Sequence, residues 1–353
     1  MSKNLPAKSI LKSTPIKMLL LDSLYINNSG GKILLDYLVE TFEANKVPVF
    51  YLFDERCKGD FPMVPNRRKV FMKATLINRH SFYKSKKKKF SRVFSFGNLS
   101  PTIRLDVPVY TYFHQPLFLD VPESVSFLDK AKVKVKTMVL NALKSNTNIW
   151  FVQSEHIKKR LVSKYNIKED NVILMPFYPP LGNSKKDYKR QKDGFVYISN
   201  GGPHKNHHNL ISAFCNYFDK NKKGSLHITI SEKFPELLKL IKTKINQGYP
   251  IINHGFINRE DLMEIYQSNE YLIYPSLAES FGLGLVEAIE NGCKVIGADL
   301  PYTYAVCKPS LVFDPLDPCD IERALFNSQL SKVPETEQLV FNEIHKLLSS
   351  LII

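Results

Sequence analysis

Two kinds of hydrophobic pattern alternate along the chain. Short continuous apolar runs come first: IKMLLLDSL (Ile16–Leu24), VPVFYLF (Val47–Phe53), RVFSFG (Arg92–Gly97), VPVYTYFH (Val107–His114) and NIWFVQS (Asn148–Ser154). Between or after them lie stretches with apolar residues at helical spacing, such as GGKILLDYLVETFEAN (Gly30–Asn45) and EHIKKRLVSKYN (Glu155–Asn166). Unbroken apolar strands separated by helices mark parallel strands covered on both faces. The segment between Phe53 and Arg92 breaks this alternation and reads as an irregular basic region.

A second break follows. MPFYPPLGNSKKDYKRQKDG (Met175–Gly194) is rich in Pro, Gly and charge and reads as a linker. The alternation then restarts. FVYIS, LHITI, IINHGF, EYLIYPS and CKVIGAD are the strand-like runs, and helical periods begin near Asn206 and in REDLMEIYQS and GLGLVEAIENG. A last helical stretch covers about Thr336–Leu351. The pattern predicts an α/β protein of two doubly wound, Rossmann-like domains facing each other across a cleft. The first spans 1–185, the second 186–335, and a terminal helix spans 336–353. Ligands of such sheets bind beyond the carboxyl ends of the strands.

Charge adds a polarity to this picture. The chain carries a formal net charge of +15, but residues 1–190 hold 34 Lys and Arg against 15 Asp and Glu, a net +19, and the remainder nets −4. The excess concentrates in Arg67–Arg92, which contains KSKKKK (Lys84–Lys89), and in DKAKVKVKTMVLNALK (Asp129–Lys144). This half is expected to face an anionic surface, with Phe82, Tyr83 and Phe90 beside the lysines as an interfacial anchor. No run reaches the roughly 18 apolar residues of a membrane span, and the basic N-terminus lacks the small-residue site of a cleaved leader. The five cysteines show no metal-ligand spacing and read as reduced thiols of a cytoplasmic protein.

The chemistry concentrates in YPSLAESFGLGLVEAIENG (Tyr274–Gly292). Glu279 falls in a strand-to-helix loop and Glu287 about a turn and a half into the helix. The free N–H groups at that helix start, Phe281–Leu283, suit a phosphate, and Gly282 and Gly284 allow close approach of a ligand. Two carboxylates flanking a diphosphate suit the hydroxyls of a nucleotide-sugar. The spacing alone fits a capping and salt-bridge pair equally well.

The segment Glu279–Glu287, ESFGLGLVE, resembles the E-x7-E motif of the retaining glycosyltransferases of family 4, which have the GT-B fold. Other pieces resemble that family in the same order: NNSGGKILLDYL with Gly30 and Gly31, TYFHQP with His114, YISNGGPHKNHHNLISAF with Lys205, and HGFINREDLMEIYQSNEYLIYPS with Phe256 and Ile257. The chain departs from the family pattern at Asn200, where an Arg is usual, and at Ala305, where a Glu is frequent.

The resemblance implies a retaining hexosyltransferase that needs no metal or other cofactor. His114, Lys205 and Glu279 are its expected catalytic residues. Gly30, Gly31, Asn200, Lys205, Phe256, Ile257, Glu279, Ser280, Phe281, Gly282, Leu283 and Glu287 are its expected donor contacts. Lys205 meets the diphosphate, Glu279 the transferred sugar, Glu287 the ribose, and Phe256 and Ile257 the base. The acceptor expected is lipid-linked or saccharide, in envelope polysaccharide, lipopolysaccharide or glycolipid synthesis, with the protein peripheral on the inner face of the cell membrane. Two rivals are a glycoside hydrolase using Glu279 and Glu287 and a basic nucleic-acid-binding protein. The second ranks low, because the aromatic residues fall in core strands, and no nucleic-acid partner is expected. His204, His207 and His208 read as exposed helix-start residues with no metal role.

Overall fold

The computed structural model describes residues 18–121, 127–182 and 188–352. The expectations for the first 17 residues therefore lie outside what it describes. The first sheet has seven parallel strands: β1 (Met18–Asp22), β2 (Val49–Asp54), β3 (Lys69–Met72), β4 (Phe90–Ser95), β5 (Val109–Phe113), β6 (Ile149–Val152) and β7 (Val172–Leu174). Their spatial order is β3-β2-β1-β4-β5-β6-β7. Helices α1 (Ser29–Ala44), α2 (Leu76–Lys86), α3 (Phe127–Leu143) and α4 (Glu155–Tyr165) accompany it.

The second sheet has six parallel strands: β8 (Gln191–Tyr197), β9 (Ser225–Ile228), β10 (Ile251–Asn253), β11 (Asn269–Tyr274), β12 (Lys294–Ala298) and, after the short β13 (Cys307–Lys308), β14 (Leu311–Phe313). Their order is β10-β9-β8-β11-β12-β14. Its helices are α5 (His207–Asn221), α6 (Pro235–Asn246), α7 (Leu262–Ser268), α8 (Leu283–Glu290), α9 (Pro301–Val306) and α10 (Pro318–Asn327). β13 forms an antiparallel ribbon with β15 (Glu337–Gln338), and α11 (Ile344–Ile352) closes the described chain. Each sheet is the doubly wound arrangement expected. The strand order reverses between β1 and β4 in the first sheet and between β8 and β11 in the second, so the loops after those strands open the crevices where ligands bind.

The basic region is more ordered than its sequence suggests. β3 pairs with β2, and α2 starts at a Thr75 cap whose hydroxyl accepts the Asn78 N–H at 3.2 Å. Phe82, Tyr83 and Phe90 are buried beneath β1, β2 and β4, so they are core residues and offer no interfacial anchor. Arg79 is 1% exposed. Its guanidinium donates to Asp22 (2.7 Å), Ser95 Oγ (2.8 Å) and the carbonyls of Leu99 (2.8 Å) and Ser100 (2.6 Å), and Tyr83 O–H donates to the same Asp22 carboxylate at 2.6 Å. A charge this deep persists only with a paired carboxylate and most of its donors met, here four hydrogen bonds from the guanidinium.

The stretch read as a linker also begins in the core, with Met175, Phe177 and Tyr178 at 1% exposure or less. From there the chain crosses to the second sheet. It crosses back at its end: Asn342 Nδ2 donates to the Tyr178 carbonyl (2.7 Å), Glu343 N–H to the Pro176 carbonyl (2.8 Å), and Arg92 of β4 to the Leu351 carbonyl (3.0 Å). The terminal helix thus packs against the first sheet. The five cysteines are free thiols, four of them buried. Among the described residues no helix is long and apolar enough to cross a membrane.

Candidate active site

The second crevice is built from two loops held together by backbone contacts. After β8, Asn200 folds its side chain onto its own turn, accepting the Gly202 N–H at 2.9 Å. It therefore stabilises the loop locally and adds no charge. Gly201 has no alternative: a Cβ there would sit 2.6 Å from the Phe234 ring. Asn206, in the left-handed region at φ +61, donates to the Pro275 carbonyl (3.2 Å) and the Pro315 carbonyl (2.6 Å). The Leu277 N–H donates to the His204 carbonyl at 2.7 Å, and Tyr197 O–H to the Lys205 carbonyl at 3.1 Å. These bonds staple the loop after β8 to the loop after β11.

Lys205 and Glu279 meet as a result. Lys205 Nζ lies 2.5 Å from Glu279 Oε1, and Tyr274 O–H donates to the same oxygen at 3.0 Å. The two side chains are 13% and 12% exposed, so the pair is largely desolvated yet still reachable. α8 starts directly after it. Its N-cap, Gly282, is left-handed at φ +80 and supplies no side-chain cap, so the first N–H groups of α8 are left without a side-chain acceptor. Ser280 and Leu283 flank this start on the loop and helix sides and are half-buried. Phe281 is 4% exposed with its ring 5.8 Å from that of Tyr178, so its side chain serves packing. Gly284 likewise makes room for protein: a Cβ would lie 3.1 Å from the Tyr274 ring.

Glu287 has a different partner, one that no motif announces. It is 5% exposed and ion-paired to Arg259, and Tyr266 O–H approaches its other oxygen at 3.4 Å. Burial pushes its carboxyl upward and Arg259 pulls it back. Arg259 also donates to the Pro179 carbonyl at 2.6 Å, which ties this carboxylate to the crossing between the sheets. Arg259 stands in the polar NRED segment, 28 residues before Glu287. No one-dimensional spacing signals that contact. Next to it in the chain, Phe256 and Ile257 line a cavity of about 450 Å³. Phe256 is 81% exposed at its rim. His227 and His254 form another wall, with Nδ1 and Nε2 3.0 Å apart, and burial pushes His227 down to about 4.

In the first crevice Gly31 and His114 meet. Gly30 lies in the first turn of α1, where a Cβ would meet nothing within 4 Å, but a Cβ on Gly31 would lie 3.7 Å from His114 Nε2. The His114 N–H donates to Asn98 Oδ1 at 2.6 Å, and the ring packs 5.0 Å from Phe96. Its Nδ1 is buried without a hydrogen-bond partner, and burial pushes the imidazole down to about 4, so it is neutral near pH 7. Of the other histidines, His204 and His208 are exposed as expected, but His207 is not. It is 2% exposed, with Nε2 2.9 Å from Ser199 Oγ and 3.0 Å from the Asn200 carbonyl, and it braces the loop that carries Lys205. Among the described residues no group of three His, Cys, Asp or Glu is placed to hold a metal ion.

Comparison with known proteins matches residues 183–312 to the family described as glycosyl transferases group 1. The chain is 41% identical over 70 residues to the GtfA subunit of the UDP-N-acetylglucosamine–peptide N-acetylglucosaminyltransferase of Streptococcus parasanguinis, a match covering 20% of this chain and 12% of that protein. The matched stretches span 9% to 42% of the lengths of the four curated relatives. In structure the chain is similar to sucrose-phosphate synthase of Thermosynechococcus elongatus, with a TM-score of 0.65, 15% identity, and coverage of 88% of this chain and 89% of that one. It is also similar to Anabaena HepE, solved with UDP-glucose, with a TM-score of 0.62, 12% identity and the same coverages. Residues 183–312 are thus a glycosyl transferases group 1 segment, carried within a chain that has the GT-B fold.

Proposed function

We propose that the protein is a glycosyltransferase that moves a sugar from a nucleoside-diphosphate sugar to an acceptor hydroxyl. The observation that carries this reading is the Lys205–Glu279 pair at the uncapped start of α8. When the bond to the sugar breaks, negative charge grows on the leaving diphosphate. Lys205 and the first N–H groups of α8 are fixed where they stabilise that charge without reorganising, which is the most effective form of electrostatic catalysis. Lys205 has three ammonium donors and holds Glu279 with one, so it can take a phosphate oxygen and keep the carboxylate in place. Glu279 is left one free oxygen for the sugar hydroxyls. His114, neutral and a donor or acceptor only, faces the sugar from the first sheet. Gly30 and Gly31 give the donor room at the start of α1, and Phe256 and Ile257 take the base.

The charge asymmetry supports a lipid-linked or envelope acceptor and a peripheral position on the cytoplasmic face of a membrane. HepE and GtfA point to a uridine nucleotide as the first donor class to try. We propose retention of anomeric configuration from the family resemblance alone, and independence of metal because Lys205 and the first N–H groups of α8 could take the diphosphate charge. A hydrolase using both carboxylates is disfavoured: the Glu287 carboxylate is closed over by Arg259 and Tyr266.

The test is a thermal-shift screen of UDP-, GDP-, ADP- and dTDP-sugars, followed by product analysis. A cognate donor binds only the folded protein and raises the melting temperature, and the product keeps the donor's anomeric configuration with or without EDTA. No shift with any nucleotide-sugar, or release of free sugar from an oligosaccharide without a nucleotide, overturns the reading.

A further inference from the structure

Helix α3 presents two opposed apolar faces, and only one is covered by the protein. Leu140 (0% exposed) and the half-buried Val133 pack inward with Trp150 and Phe118. On the other side Leu128, Val135 and Met138 are 72%, 61% and 59% exposed. Exposed Ala131 and Ala142 complete their row, at intervals of three and four residues. Such intervals bring side chains onto one helical stripe. Lys132 and Lys134 are exposed on the two margins of that stripe, and Lys136 is exposed farther round the helix. Through its covered face α3 packs on the turn Pro116–Phe118, two residues beyond His114.

An apolar row edged by lysines selects its occupant. A second copy of the chain placed across a two-fold axis would set lysine against lysine. A nucleic acid would take the lysines and leave the row in water. An anionic bilayer satisfies both, with phosphates on the ammonium groups and acyl chains on the apolar row. We infer that α3 lies in the headgroup layer of an anionic membrane, with Leu128, Val135 and Met138 seated among the acyl chains and Lys134 on the lipid phosphates. This rests on the proposal that the basic half faces a membrane. It assigns the contact to α3, with Lys84–Lys89 as a peripheral charge cluster whose neighbouring aromatics are buried in the core.

The experiment is co-sedimentation of the full chain with vesicles of phosphatidylcholine alone and of phosphatidylcholine with 30 mol% phosphatidylglycerol, at low and high salt. The wild type binds only the anionic vesicles, and less at high salt. Val135→Ser/Met138→Ser raises the lipid concentration for half-binding by about tenfold, while Lys86→Ser to Lys89→Ser changes it less than threefold, on the order expected when insertion is lost and when peripheral charge is lost. A Met138→Trp variant shows a blue shift of its emission on anionic vesicles, which reports insertion directly. Equal binding by Val135→Ser/Met138→Ser and wild type, no blue shift, or a wild-type dimer that Met138→Ser dissociates, each overturns the inference. None of these readouts involves nucleotide-sugar, so failure of the donor screen and failure of the vesicle assay are told apart.

Discussion

Arg259→Ala separates an ion pair that is half sealed, and its cost should depend on pH in a predictable way. Removing one partner of a fully buried pair costs about 3–5 kcal/mol. Here the Glu287 side chain is 6% exposed but that of Arg259 is 26%, so water moderates the loss and about 2–3 kcal/mol is expected at pH 7. A second limit comes from protonation. Without Arg259, burial outweighs the Tyr266 hydrogen bond that remains on Glu287, and its folded pKa rises further above its ordinary value of 4.5. The folded variant then binds a proton that the unfolded chain releases, so its stability is highest at low pH and falls as pH rises toward the folded pKa. Taking up that proton costs at most about 1.4 kcal/mol per pH unit above 4.5, which caps the loss at about 3.4 kcal/mol at pH 7 and about 1.4 kcal/mol at pH 5.5. Urea unfolding of wild type and variant at both pH values measures the two differences. A penalty that is the same at pH 5.5 and pH 7, or larger at pH 5.5, would refute the claim that an orphaned, buried Glu287 is responsible. Arg259→Lys should recover part of the loss.

Other changes address the chemistry. Glu287→Ala should weaken UDP binding indirectly, because it leaves Arg259 unpaired beside the cavity lined by Phe256 and Ile257, and calorimetry reads the loss. Glu279→Gln should lower kcat and leave UDP affinity nearly unchanged; equal losses of affinity in both variants would show that their roles are not divided. Lys205→Ala should lower kcat more than it raises KM for the donor, because its charge acts most on the transition state, and wild-type kcat would remove it from the mechanism. His207, pushed down to about 4 by burial from an ordinary 6.5, stays neutral in the folded protein while the unfolded chain takes a proton. Its contribution is therefore complete above pH 6.5 and is lost as pH falls, by about 2 kcal/mol at pH 5, and His207→Phe should flatten that stretch of the stability profile.

The two sheets are legible because each central strand is an unbroken apolar run, as in LLLD of β1 and YLIY of β11, and because Asn291-Gly292 marks the end of α8. β3 and β7 are not, since an edge strand of only three or four residues is too short to show a period. α2 is hidden by its lysines: Arg79, Phe82 and Tyr83 point inward from a helix that looks basic throughout. Glu279 and Lys205 stand out by motif, and the structure gives them to each other. The partner of Glu287 does not, because Arg259 reaches it only once α7 and α8 have packed against the same strands. His207 reads as a surface residue for the same reason.

The two chain crossings between the sheets run side by side. Pro176 and Tyr178 on the outward strand are laced to Glu343 and Asn342 on the return by 2.8 and 2.7 Å hydrogen bonds. A body joined to another by one thread can swivel, and by two distant threads can only bend. Joined by two threads stitched together, it has a single place to bend. Lys205 and Glu279 lie on one side of that place and Gly31 and His114 on the other, so any opening of the cleft would leave the internal spacing of each pair unchanged.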